Sequence, residues 1–382
     1  MIKKTFFCAF LLFGQIFLSN AQPKITFKVH VNTAPKQAAE ELYLAGNFND
    51  WKPSENVWKL EKNEGGNYSL ITSIKPGIYS YKITHGSWEK VECAAGGKQM
   101  ENRSLNIHGD TTINLTVEDW QDNFAAPVKQ HTATSQVHLI TEHFEMPQLG
   151  RQRRIWVYLP KDYATSKRRY PVIYMHDGQN LFDEFTASYG EWGIDELMEK
   201  VPGKDQCIII GVDHGGEYRM SEYNPYDFRD DKGRGSDYVD FLAKTLKPCI
   251  DKHYRTLTDA KHTAIAGSSM GGLISMYAET KYPEVFGQAG IFSPAFWTAS
   301  PQIYDFVQKQ KFTNKERFYF VCGDAESDSM VSDMEKMAEM VRAKGVSGIN
   351  TPVVVIKGAQ HNEKQWNGDF PAFYNWLLAG FR

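Results

Sequence analysis

Two serines lie between glycines in "HTAIAGSSMGG", His262 to Gly272. The five letters Gly267-Ser268-Ser269-Met270-Gly271 fit G-x-S-x-G. An apolar run, HTAIA, comes before them, and the helix-like GLISMYAETKYP comes after. That context predicts a sharp strand-to-helix turn, where glycines stand in for side chains that would collide and one side chain is lifted above a sheet. The lifted residue is Ser269, a candidate nucleophile, whereas Ser268 falls at the variable position and serves packing or the turn. The alternative is a glycine-rich turn kept only for close packing.

A serine hydroxyl is a weak nucleophile at neutral pH, so a base must take its proton and a carboxylate should orient that base. In chains with this turn the order is serine, acid, histidine. Downstream of Ser269 stands a single histidine, His361, in "IKGAQHNEKQW" after the apolar run TPVVVIKG. Its placement at the end of a strand makes it the candidate base rather than a surface loop histidine. For the acid, "RFYFVCGDAESDSM" offers Asp324, Glu326 and Asp328. An ester carbonyl becomes an oxyanion in the transition state and needs preorganised N–H donors. The expected donors are Met270, directly after the nucleophile, and Gly178, in the loop after PVIYMHDGQN. His176 and Asp177 are read as shaping that loop.

These residues need a sheet to hold them. From Val137 onward, apolar runs such as RIWVYLP, PVIYMHD, CIIIGVD, QAGIFS and RFYFVCG alternate with helix-like segments. Such alternation predicts an α/β domain with a mostly parallel sheet covered on both faces, over residues 137–382. Residues 22–121 differ. Short β-rich runs (ITFKVHV, ELYLAG, NYSLITSI, YSYKIT, TINLTV) broken by Gly, Pro and Asn predict a small all-β, immunoglobulin-like sandwich. Between them, residues 122–136 show little periodicity and predict a linker.

The first residues, MIKKTFFCAFLLFGQIFLSNA, have two lysines, an apolar run and a small-residue end. This is the pattern of a cleaved signal over 1–21, so the chain is expected to be exported, periplasmic or extracellular, with no membrane span after cleavage. Cys93, Cys207, Cys249 and Cys322 would remain, without a C-x-x-C pair or zinc-type spacing. Buried free thiols are the expectation, with a Cys207–Cys249 disulfide as the alternative that export would permit. The 382 residues are 42% hydrophobic with a formal net charge of −3 and no long basic run. That balance argues against nucleic acid or an anionic membrane as partner.

Residues 137–382 resemble the esterase family of α/β-hydrolases that includes feruloyl and acetyl-xylan esterases, siderophore trilactone esterases and mycolyltransferases. The shared stretches are RRIWVYLP, YPVIYMHDGQNLFD, EWGIDE, LKPCIDKHY, AGSSMGG, FSPAFW, the acid loop after Gly323, and His361. The resemblance implies Glu326 as the acid, with Asp328 second, although many feruloyl-type members carry aspartate there. "HDGQNLFD" looks closest to the siderophore-esterase branch. Trp192 and Trp297 are candidates for the substrate pocket or for the core. No metal or organic cofactor is required by this chemistry.

In the β-rich part, "LYLAGNFNDWKP" and "YSYKITHGSWEKVE" resemble starch- and glycogen-binding modules. The resemblance carries over Trp51, Lys82, Trp88 and Asn102 as sugar-contacting residues, since indoles stack on sugar C–H faces while Lys and Asn bond hydroxyls. The alternative puts one or both tryptophans in the core of a structural domain. The combined expectation is an exported serine esterase acting on polysaccharide or oligosaccharide esters and held on α-glucan or xylan by its first domain. A siderophore or general carboxylesterase whose sandwich binds no sugar is the nearest rival. A glycan-binding protein with an inactive hydrolase domain is the rival from another class, and the intact Ser, His and acid loop argue against it.

Overall fold

The computed structural model describes residues 22–35, 41–49, 51–100, 102–125, 129–188 and 190–382. The signal expected at 1–21 lies outside them. The chain divides into two compact units, Met1–Ala125 and Ala126–Arg382.

The first unit is all β. Its strands are β1 (Lys24–Val31), β2 (Leu42–Gly46), β3 (Lys59–Lys62), β4 (Tyr68–Ser73), β5 (Gly77–Thr84), β6 (Glu92–Cys93), β7 (Arg103–Ile107), β8 (Thr111–Val117) and β9 (Asp119–Trp120). Seven of them run in the order β7-β5-β2-β3-β4-β1-β8, antiparallel apart from β1 with β8, and β6 pairs with β9. Strands β1 and β5 are far apart in that order, yet the Phe27 and Tyr81 rings meet edge-on at 5.8 Å. The sheet therefore folds over itself. Alternate residues of β1 (Ile25, Phe27, Val29) point into the enclosed core beside Leu44, Ile83, Ile107 and Trp120, as the two-residue strand period requires.

The second unit carries an eight-stranded sheet, β10 (Val137–Met146), β11 (Arg151–Tyr158), β12 (Val172–His176), β13 (Ile208–Val212), β14 (Thr263–Ser268), β15 (Gln288–Phe292), β16 (Arg317–Gly323) and β17 (Val353–Ile356). Its order is β10-β11-β13-β12-β14-β15-β16-β17, antiparallel at the β10 edge and parallel from β13 onward. The helices are α1 (Ile194–Glu199), α2 (Arg219–Tyr223), α3 (Gly235–Phe241), α4 (Lys247–His253), α5 (Met270–Lys281), α6 (Gln302–Lys309), α7 (Met330–Ala343) and α8 (Glu363–Phe381). Successive strand residues feed opposite faces. Val172 and Tyr174 join a core with α3, α5, α6 and α7, while Ile173 and Met175 join one with α1 and α8. Burial on both faces explains why these strands read as unbroken apolar runs. This is the α/β-hydrolase sheet, preceded by an all-β unit.

The stretch 122–136 is taken up from its two ends. Asn123 Nδ2 bonds Ala34 O and Asp119 Oδ1 in the first unit. In the second unit, His131 meets Asp183, the Thr132 and Thr134 amides donate to Asp183 and Asp195, and the His131 ring stacks on Phe185 at 4.1 Å. Polar contacts of this kind leave no hydropathy period to read. All four described cysteines are free thiols, and burial pushes the Cys207 thiol up to about 12. Among the described residues no helix is long and apolar enough to cross a membrane.

Candidate active site

Strand β14 ends at Ser268, α5 begins at Met270, and Ser269 between them has φ 58° and ψ −119°. A non-glycine residue at positive φ is strained and persists only where its surroundings hold it. The loop after β15 does so: Ser269 N–H donates to Phe292 O at 2.9 Å, and Ser269 O accepts from Ala295 N–H at 3.0 Å. The flanking glycines follow from what lies beneath. A Cβ on Gly267 would stand 2.9 Å from His176 Cδ2, and one on Gly271 would stand 3.3 Å from His176 Cβ. His176 is buried with Nδ1 bonded to Tyr238 Oη at 2.9 Å, and burial lowers its pKa to about 3. It is a neutral support under the Ser269 turn, a place different from the Gly178 loop that the sequence assigned it to.

Glu326 is 4% exposed and fully engaged. Its Oε1 accepts from Gly323 N–H at 2.6 Å and from Ser293 Oγ at 2.7 Å, while Oε2 meets His361 Nδ1 at 2.7 Å. Asp324 and Asp328 are exposed, and Asp324 is occupied by Gly358 N–H at 2.6 Å. Three bonds fix both oxygens of Glu326 toward one imidazole, an arrangement neither aspartate has. The imidazole is held edge-on to Trp366 at 5.0 Å, and Trp366 Nε1 donates to Ser293 Oγ at 2.9 Å. Next in sequence, Asn362 caps α8 by accepting from Gln365 N–H at 2.9 Å, which anchors the backbone beside His361. The segment Phe292–Ala295 thus joins the two halves of the site: Phe292 and Ala295 hold the Ser269 turn, and Ser293 holds Glu326.

Gly178 opens a short 3-10 turn, Gly178–Asn180, after Asp177, which sits at φ 56°. A Cβ on Gly178 would stand 2.7 Å from the β13 backbone at Gly211 and Val212, so only glycine allows this approach. Met270 is likewise the first residue of its helix, and such N–H groups have no partner within the helix. Neither N–H donates to a protein group among the described residues. The Asp177 carboxylate is clamped by Arg219, Nε to Oδ1 at 2.7 Å and Nη2 to Oδ2 at 2.8 Å. Burial alone would raise this carboxyl, but the Arg219 charge and hydrogen bonds outweigh it and hold the pKa below the usual value. Glu363, two residues past His361, is pushed up to about 7 by burial, which outweighs a backbone hydrogen bond that acts to lower it.

Trp192, expected as a pocket or core residue, is core. It is 2% exposed, stacked on Trp366 at 5.6 Å and edge-on to Phe292 at 5.1 Å. It therefore backs the Trp366 ring that holds His361. Trp297 is 44% exposed beside Phe228. Arg219, Ser293 and Trp366 were not singled out from sequence. The stretches FSPAFW and HNEKQW contain two of them, but nothing local marks Arg219.

In the first unit Trp51 and Trp88 lie 6.1 Å apart at 43°, both partly exposed, whereas the buried indole is Trp120. Lys82 Nζ donates to Met100 O at 2.5 Å, and the register pairing Tyr81 with Arg103 sets Asn102 level with Lys82.

Residues 146–377 match the Esterase family model, described as "Putative esterase". An endo-1,4-beta-xylanase/feruloyl esterase of Xylanibacter ruminicola is 27% identical over 326 residues, covering 80% of this chain and 39% of that protein. An alpha-amylase of Niallia circulans is 37% identical over 101 residues, 26% of this chain and 8% of the amylase. The chain thus spans well under two thirds of either relative. The enterochelin esterase of Shigella flexneri superposes over 94% of this chain and 92% of its own, with TM-score 0.53 and 14% identity. That similarity speaks to fold. With the family match covering most of the second unit, the chain belongs to the esterase family of α/β-hydrolases and is a carboxylic ester hydrolase.

Proposed function

We propose that this chain is an exported serine esterase that cleaves carboxylic esters carried on polysaccharide. The observation that carries the mechanism is the Glu326–His361 bond of 2.7 Å, linked through the Phe292–Ala295 segment to the strained Ser269 turn. Ser269 Oγ attacks the ester carbonyl while His361 Nε2 takes its proton, and Glu326 on Nδ1 orients the ring and stabilises its protonated form. The tetrahedral oxyanion accepts from the Met270 and Gly178 N–H groups. His361 then protonates the departing alcohol, and water, deprotonated by His361, releases the acid from Ser269 in a second round.

The glycan reading is supported by the partly exposed Trp51–Trp88 pair and by a stretch shared with an alpha-amylase that is about the length of the first unit. An α-glucan or xylan held there would raise the local concentration of ester. Export is supported by the composition of residues 1–21. Two measurements test these parts separately. Purified protein hydrolyses p-nitrophenyl acetate and the Ser269→Ala variant falls to background; an unchanged rate removes the nucleophile. The Trp51→Ala/Trp88→Ala variant loses retention on insoluble starch and xylan; retention equal to the parent's removes the glycan role.

A further inference from the structure

Glu363 is the first residue of α8, two positions past His361. A glutamate in the first turn of an exposed helix is favoured by the helix dipole and needs no further account. This one is only 9% exposed. The chain before α1 packs against it, since a Cβ on Gly190 would stand 4.0 Å from Glu363 Cβ. Among the described residues its carboxyl makes no hydrogen bond to another residue and no ion pair. Yet the charged groups that act on it, His361, Asp177 and Arg219, all belong to the catalytic centre. Arg219 does not neutralise it, because its fork is spent on Asp177. Nor is the carboxyl sealed in: neither of its oxygens is among the unpartnered atoms cut off from solvent. It faces an opening beside His361.

A carboxyl held in this way costs stability, because burial disfavours its charge and nothing in the chain offsets the loss of water. The missing partner is therefore sought in the substrate. In the mechanism above, His361 gives its proton to the departing alcohol, so the alcohol half of the ester lies against the imidazole. The carbon next to the one that bears the departing oxygen then comes closest to the start of α8, where Glu363 stands. A hydroxyl on that carbon donates to a carboxylate and accepts from a carboxylic acid, so it satisfies Glu363 in either protonation state. An alkyl group in its place would strip the carboxyl of water and offer nothing in return.

We infer that Glu363 is a specificity-determining residue: it binds the hydroxyl vicinal to the ester oxygen and thereby selects esters of polyhydroxyl alcohols over esters of simple alcohols. Sugar rings carry such vicinal hydroxyls, whereas a plain alkanol has none. The inference rests on the mechanism and the carbohydrate-ester reading proposed above.

The test uses the full chain and two acetates that differ in a single group, trans-2-hydroxycyclohexyl acetate and cyclohexyl acetate, and reads the ratio of their kcat/KM values. The parent should favour the hydroxylated ester about ten- to a hundredfold, the effect of one hydrogen bond to a buried carboxyl. Glu363→Ala should bring the ratio to within about twofold of unity. Glu363→Gln, which keeps the shape and one acceptor oxygen, should fall between the two. Because each variant's own cyclohexyl acetate rate is the denominator, a partly unfolded preparation does not mimic the effect. Acid released from acetylated and feruloylated arabinoxylan is measured beside it. A parent that releases this acid but shows no preference, or a preference that Glu363→Ala retains, overturns the role of Glu363 and leaves the carbohydrate-ester reading standing. A parent that releases no acid overturns that reading and the inference with it.

Discussion

Glu326→Gln changes one atom in a carboxylate with both oxygens engaged. Oε1 takes Gly323 N–H and Ser293 Oγ, and Oε2 takes His361 Nδ1. A glutamine has one acceptor oxygen. If that oxygen stays on Gly323 and Ser293, the amide NH₂ faces His361 and forces the proton to the other ring nitrogen, where it cannot receive one from Ser269. If the oxygen turns to His361, the NH₂ opposes the Gly323 N–H and leaves a buried donor unpaired, at about 1–3 kcal/mol. The first orientation loses the productive tautomer, and the second keeps it only at that cost, so the first prevails; comparable acid-to-amide changes in serine triads cost on the order of 10⁴ in kcat. A loss of 10³ to 10⁴ is therefore expected, about 4 to 5.5 kcal/mol in activation free energy. The assay is steady-state hydrolysis of p-nitrophenyl acetate, with Asp328→Asn beside it and thermal melts to confirm folding. Asp328 is exposed and should change kcat less than twofold. A loss under tenfold in Glu326→Gln, or a larger one in Asp328→Asn, would refute the reasoning.

Further outcomes follow from the same geometry. Arg219→Ala releases Asp177 and with it the placement of Gly178, so kcat should fall about a hundredfold with KM within a few-fold; a change confined to KM in the same assay would contradict a positioning role. Glu279 in α5 is fully buried and both its carboxyl oxygens lack a hydrogen-bond partner among the described residues, so Glu279→Met should raise the urea midpoint, by about 1–3 kcal/mol in stability, and a lowered midpoint would count against this. Burial lifts Glu363 from 4.5 to about 7. Below pH 4.5 the carboxyl is neutral in both states; as pH rises the unfolded chain ionises first, so stability declines until about pH 7, by up to about 3 kcal/mol. Melts from pH 5 to 8 should therefore fall less in Glu363→Gln than in the parent, and parallel slopes would remove Glu363 as the cause.

What could be read from the sequence was local. The Ser269 turn needs only a strand, glycines and a helix in succession, and His361 was the one downstream imidazole. The choice of Glu326 over Asp328 came through resemblance, because their difference lies in burial and in a bond to Ser293, 33 residues away. Arg219 reaches Asp177 across 42 residues and carries no motif. Trp192 shows the opposite failure: its size is evident, but whether it faces a pocket or the core depends on α8, and Asn367 of that helix bonds its carbonyl across 175 residues. Residues 129–134 gave no period because they are held mainly by hydrogen bonds to Asp183, Asp195 and the Ala187 carbonyl, with the one ring stack of His131 on Phe185.

The most direct measurement is covalent capture of the nucleophile. The native chain, treated with a fluorophosphonate and digested, should yield one phosphonylated peptide with the adduct on Ser269, at about one label per chain and in step with loss of p-nitrophenyl acetate hydrolysis. An adduct on another residue, or full ester turnover by a chain labelled at Ser269, would contradict the account.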